Sequence, residues 1–144
     1  MSNSVISGTQ ISVKGKRNST ITFDDTSKGV SFSYTAQVWI ENEMTFINNK
    51  SSSTNNVTDY SKPVRLYVNS EVIVEVERNI SKIVYDCASS SYATALKNSI
   101  GDNVEASSDK VTVTFTELSN SFTIAKLTGG QVRVDSITVT YVTN

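Results

Sequence analysis

Histidine is absent from this chain and cysteine occurs once, as Cys87. That removes Ser-His-Asp and Cys-His catalysis, His-ligated zinc, Cys-cluster zinc and any intrachain disulfide. Cys87, ending the apolar run ISKIVYDC, reads as a small buried residue with no base or resolving thiol near it in sequence. Proline also occurs once, so the turns must be made by other residues. No apolar stretch approaches membrane-spanning length, and MSNSVISG lacks the basic-then-apolar pattern of a signal peptide. Charge of one sign is missing too. With 13 Lys and Arg against 14 Asp and Glu, the net charge of -1 gives no broad grip on nucleic acid or anionic lipid. The short basic run VKGKR (Lys14, Lys16, Arg17) reads as a solvated turn.

What is present is β-branched and polar. Val (18) and Ile (11) far outnumber Leu (4), which favours pleated surfaces over helices. Ser (23), Thr (17) and Asn (13) supply turns and solvated strand faces. At 144 residues the chain is expected to fold as one domain, residues 1–144, with 1–4 a flexible start. A domain of this size buries about 68 to 70% of its unfolded surface, enough for a core without staples.

Strand signals recur between clusters of Ser, Asn, Asp and Gly. They fall at Val5–Val13, Thr20–Phe23, Val30–Ile40, Met44–Asn48, Val64–Val68, Glu71–Glu77, Ile80–Cys87, Lys110–Glu117, Ser121–Ala125 and Gln131–Val142. About ten short strands predict an all-β antiparallel sandwich or jelly roll. One helix is expected at Ser91–Ile100, with Ala95 and Ile100 against the core and Gly101 as its stop.

Alternation sorts the faces. Val64, Leu66 and Val68 share one face, leaving Arg65 and Tyr67 on the other. Across 30–40 the even positions are apolar or Tyr, which puts Trp39 off the core face; a helical turn over Ala36, Trp39 and Ile40 would instead bury it. In QVRVDSITVTYV the apolar phase switches from Val132 and Val134 to Ile137, Val139 and Tyr141. A β-bulge at Asp135-Ser136 reconciles the halves, or the strand crosses between sheets there.

The segments QVWIENEMTFINNKSSSTNNVTDYSKPVRLYVNSEVIVE, ISKIVYDCASSSYATALKNSI and TGGQVRVDSITVTY resemble a β-sandwich module appended to secreted bacterial surface proteins and extracellular hydrolases. The likeness spans roughly 20–142. More weakly, VRVDSITVTY is similar to the last strand of the galactose-binding-like jelly rolls of carbohydrate-binding modules. The resemblance implies an extracellular or cell-surface setting with neighbouring domains in a longer chain. It also implies a structural calcium shared by Asp24 or Asp25 with Asp135, no cofactor being otherwise required.

Sugar recognition needs a flat aromatic face and hydrogen-bonding amides, carboxylates or guanidinium groups. Trp39, Tyr60, Tyr67, Arg65, Asn55, Asn56 and Asp59 supply these around the 15-residue segment NNKSSSTNNVTDYSK. Arg65 could equally pair with Glu71, Glu75 or Asp59, and the Asn and Asp residues could simply form turns. The expectation is a monomeric, non-catalytic carbohydrate-binding module whose partner is a polysaccharide or glycan, with no nucleic acid and no membrane insertion. The alternative is a structural or adhesive spacer with no small ligand.

Overall fold

The computed structural model describes residues 15–23, 29–57, 64–102 and 104–143. Eleven strands and one helix follow in the order β1 (Lys16–Thr22), β2 (Gly29–Phe32), β3 (Ala36–Glu41), β4 (Met44–Asn49), β5 (Val64–Leu66), β6 (Glu71–Val76), β7 (Ile80–Cys87), α1 (Ser90–Ile100), β8 (Val104–Ser107), β9 (Lys110–Thr114), β10 (Ser121–Ile124) and β11 (Val132–Val142). The expected strand at Val5–Val13 lies outside the described residues. So does Lys14, while Lys16 and Arg17 belong to β1 rather than to a basic turn.

Two antiparallel sheets pack face to face. One runs β1-β11-β7-β9-β8 with β5 also on β11, and the other runs β10-β6-β4-β3-β2. The all-β sandwich expected from the Val and Ile excess is therefore present. Between the sheets the buried residues form one core that includes Ile21, Phe46, Val74, Ile83, Leu96 and Ile137. Cys87 is buried in it with a free thiol.

β11 organises its sheet. Its first residues (Val132–Val134) pair with β5, and the rest (Ser136–Val142) pair with β1 along the same edge. Along the other edge it pairs with β7, and the register slips between Val134 and Ser136. The bulge expected at Asp135-Ser136 is therefore real. Val132 and Val134 point inward before it, and Ile137, Val139 and Tyr141 after it, so one strand serves two partners without losing its buried face.

The expected strand over 30–40 is corrected by the structure. Ser33 accepts hydrogen bonds at Oγ from the backbone N–H of Thr35 and Ala36, and its own N–H donates to the Ala36 carbonyl at 2.9 Å. This hydroxyl-centred turn reverses the chain, so that β2 and β3 form a hairpin instead of one strand. The reversal resets the phase. Gln37 and Trp39 point inward, and Ile40 points out.

Trp39 is consequently 0% exposed. Its indole meets the Phe23 ring edge-on at 5.1 Å and the Phe32 ring at 5.2 Å, and Phe23 also packs on Phe46 at 5.1 Å. The expectation that Trp39 lies off the core face is overturned. Val38 and Ile40 gave the opposite alternation, but the largest side chain in the strand recovers the most apolar burial by facing inward. Beside it, Gln37 and Asn48 are buried cross-strand partners: Asn48 Nδ2 donates to Gln37 Oε1 (2.9 Å) and to the Arg65 carbonyl (3.1 Å). That amide ties β4 of one sheet to β5 of the other.

Helix α1 packs against β7, β8, β9 and β11 of one sheet. Ser89 caps its start by accepting from Tyr92 N–H, and Gly101, at φ 124°, ends it. Ala93 and Leu96 are its buried residues, and the expected Ala95 and Ile100 are partly buried and packed against the same core. Ser99 Oγ accepts from Thr128 and Gly129 N–H at 2.9 and 2.8 Å, fastening the segment before β11 to the helix.

Candidate functional site

The loops on one side of the sandwich are joined by short bonds into one surface. Lys50 N–H donates to the Thr35 carbonyl and Val57 N–H to the Tyr34 carbonyl, both at 2.8 Å. Ser52 Oγ donates to the Asn69 carbonyl at 3.4 Å, which draws loop 50–57 against the turn over 67–70. Asn69 N–H in turn donates to the Leu127 carbonyl at 2.8 Å. Ser51 (φ 50°) and Asn69 (φ 72°) hold the left-handed conformations that the reversals need. Within this surface Asn55 and Asn56 are exposed, and Asn55 N–H is held by Ser53 Oγ at 3.0 Å. Tyr34, which alternation assigned to the core, stands at the tip of the β2–β3 turn and is 70% exposed.

Alternation holds only to Leu66, where β5 ends: Val68, expected on the core face, is 40% exposed, while Arg65 and Tyr67 stay off that face. Both are half-buried and off the core face, Arg65 on β5 between the inward-facing Val64 and Leu66, and Tyr67 directly after the strand. Of the acidic partners expected for Arg65, Glu71 accepts from Asn49 Nδ2 at 3.0 Å, and Glu75 stands exposed on the other sheet. Asp59 and Tyr60 lie outside the described residues, as do Asp24 and Asp25.

The register across β5–β11 adds a residue that sequence reasoning missed. Arg133 stands directly opposite Arg65. Its Nε donates to Gln131 Oε1 at 3.1 Å, and its guanidinium carbon lies 6.0 Å from the centre of the Tyr92 ring, in cation–π range. Among the described residues Arg133 makes no ion pair with a carboxylate, whereas Asp86 and Asp109 are both engaged by Lys110, at 3.7 and 3.4 Å. Those two carboxylates raise the Lys110 pKa. Helix α1 begins beside Tyr92 with no acidic residue in its first turn, so its positive dipole end lacks a neutralising carboxylate there. The signal for Arg133 was in the sequence. QVRV leaves it off-phase between two inward valines, as VRL leaves Arg65, but the pairing that opposes them is non-local.

Comparison with family models, with curated proteins and with solved structures finds no match.

Asp135 is half-buried at the bulge. Its carbonyl accepts from Phe23 N–H at 2.9 Å. Among the described residues no group of three or more acidic or thiol side chains is arranged to hold a metal ion. With Asp86 and Asp109, Asp135 surrounds Cys87 with negative charge. Burial first, then these carboxylates, pushes the thiol from its ordinary 9.0 up to about 12, so it is neutral and unreactive at physiological pH.

A second concavity, of about 1160 Å³, opens where the edge strands β8 and β10 diverge. Phe115 and Phe122, ring centres 5.8 Å apart, form part of its wall with Val104, Val113 and Ile124, and Leu118, 84% exposed, overhangs it. Its described lining offers hydrocarbon, hydroxyls and a few charges, but no amide side chain, guanidinium, Tyr or Trp. Such a wall suits apolar contact better than the paired hydrogen bonds of a sugar ring.

Proposed function

We propose that this chain is a non-catalytic carbohydrate-binding module. It would work at the cell surface or outside the cell, beside neighbouring domains of a longer protein, and hold that protein on a polysaccharide. The observation that carries the reading is the clustering, off the core face of β5–β11, of Arg65, Arg133 and Gln131 with the half-buried Tyr67. An aromatic face beside several fixed donors is the combination that sugar rings require, and a shallow site on rigid strands needs no further chemistry. Tyr34 and the amides of Asn55 and Asn56 extend the same loop surface and replace Trp39 as outer contacts. A structural calcium shared by Asp135 with Asp24 or Asp25 belongs to the proposal.

Polysaccharide pull-down or a glycan array tests it. The parent protein should retain at least one glycan. Tyr67→Ala and Tyr34→Ala should weaken retention several-fold, while Trp39→Phe, a change inside the core, should leave it intact. Absence of retention by the parent defeats the proposal and leaves the spacer reading. Calcium is tested by melting: chelation should lower the Tm, and an unchanged Tm removes the ion from the proposal.

A further inference from the structure

Among the described strands, four sheet edges are guarded and one is not. An open edge invites pairing with another chain unless a charge, a bulge or a proline blunts it. Lys16 and Arg17 stand on β1, Arg65 on β5 and Glu105 on β8, while β2 has a register shift between Gly29 and Ser31. β10, with the sequence SFTI, has no charge, no proline and no shift against β6. It also borders the groove in which Phe115 and Phe122 are half-buried and Leu118 is 84% exposed.

Val76 N–H donates to the Asn120 carbonyl at 2.9 Å, which sets the alternation along β10. Phe122 and Ile124 turn their backbone groups to β6, and Ser121, Thr123 and Ala125 turn theirs to the open edge. Ser119 Oγ occupies those of Ser121, accepting its N–H at 3.3 Å and donating to its carbonyl at 2.8 Å. The backbone groups of Thr123 and Ala125 have no partner among the described residues. Two positions apart on one edge, they offer the donors and acceptors that an added strand takes up. The flanking charges select the strand. Glu117 precedes β10 and Lys126 follows it; both are exposed, both line the groove, and neither forms an ion pair among the described residues.

We propose that a second copy of this chain covers the edge, β10 pairing antiparallel with the partner's β10 about a twofold axis. Thr123 exchanges backbone hydrogen bonds with the partner's Ala125, and Ala125 with the partner's Thr123, so the two five-stranded sheets join into one. Reversal of strand direction carries Lys126 of each copy to the end of the groove where the partner's Glu117 projects. One surface thereby supplies both halves of two opposite-charge contacts, the self-complementarity that a twofold interface requires. The interface is independent of the carbohydrate-binding reading, and its failure leaves that reading standing.

Sedimentation equilibrium of the full chain across the micromolar range should give a monomer–dimer equilibrium. Thr123→Pro removes an outward N–H that β6 does not use, and Leu118→Asp charges an exposed position; each should weaken dimerisation about tenfold or more, with the Tm of the monomer little changed. Glu117→Lys and Lys126→Glu should each weaken it alone, because each sets like charges against one another. An equimolar mixture of those two variants should recover a heterodimer of parental affinity, both contacts being restored in reverse. The double variant Glu117→Lys with Lys126→Glu in one chain keeps the parental net charge and should dimerise like the parent, which excludes a bulk charge effect. A monomeric parent overturns the inference, and amide exchange then tells what takes the edge: slow exchange at Thr123 and Ala125 means cover by the chain itself, fast exchange an edge open to a different partner. A dimer untouched by Thr123→Pro and Leu118→Asp overturns it as well, as does a double charge variant that stays monomeric.

Discussion

The indole of Trp39 lies wholly inside the core, yet among the described residues its Nε1 donates to no acceptor. Truncation and isosteric change should therefore differ sharply. Trp39→Ala is expected to cost about 3–5 kcal/mol in urea denaturation, the usual loss for a large buried aromatic. Trp39→Phe should cost less than about 1.5 kcal/mol, because the lost ring area is partly offset by removing an unsatisfied N–H. Equal losses would contradict the packing between Phe23 and Phe32. Cys87 and the fully buried Tyr85 give a second residue-scale expectation. Burial raises the pKa of both, and the neighbouring carboxylates raise that of Cys87 further. For an acid whose folded pKa is raised, stability is complete below the unfolded value and is lost as pH climbs towards the folded one. The window for Cys87 runs from 9.0 to about 12. The Tm should stay level up to about pH 9 and fall beyond it, less steeply in Cys87→Ala. A parallel fall in both proteins would show that Cys87 is not a contributor.

Among the elements, the junction of α1 with the segment before β11 is the most sensitive to a single added carbon. A Cβ on Gly129 would run into the Ala95 carbonyl oxygen, part of the helix backbone and unable to turn aside. Gly129→Ala is expected to destabilise by about 1–3 kcal/mol and to speed amide exchange in α1 before the sheets. Unchanged exchange in α1 would mean that the contact relaxes freely. Most strands could be read from the sequence because their signals are local. From Ile83 onward β7 alternates, with Ile83, Tyr85 and Cys87 inward, and the phase change in β11 located its bulge at Asp135. β8 escaped notice because Val104 is its only buried residue and the following EAS faces solvent. The split of 30–40 escaped because Val38 and Ile40 mimic a core face, while the deciding signal was the Ser33 hydroxyl closing a turn. Of the candidate site, Arg65 was legible from alternation within β5. Arg133 was not, since the β5–β11 register joins residues nearly seventy positions apart, and no local pattern encodes which strands meet.

At the scale of the whole molecule, a shared core couples a loop-bearing side, with its aromatic and basic groups, to an apolar groove between the edge strands β8 and β10. The pairing of β1 with β11 has a mechanical meaning. Lys16 sits opposite Val142, and Thr143 N–H donates to the Gly15 carbonyl at 2.9 Å, so Gly15 and Thr143 lie side by side. Neighbouring domains attached at those two points would carry the sandwich as a pendant rather than as a link in series. Tension applied there would peel β1 from β11 one hydrogen bond at a time. Force spectroscopy with handles at positions 15 and 143 should give a lower rupture force than handles at 15 and 128, which load the same strand pair lengthwise. A sandwich loaded at those two points would yield early, a poor property for a spacer under load and an acceptable one for the carbohydrate-binding module proposed above.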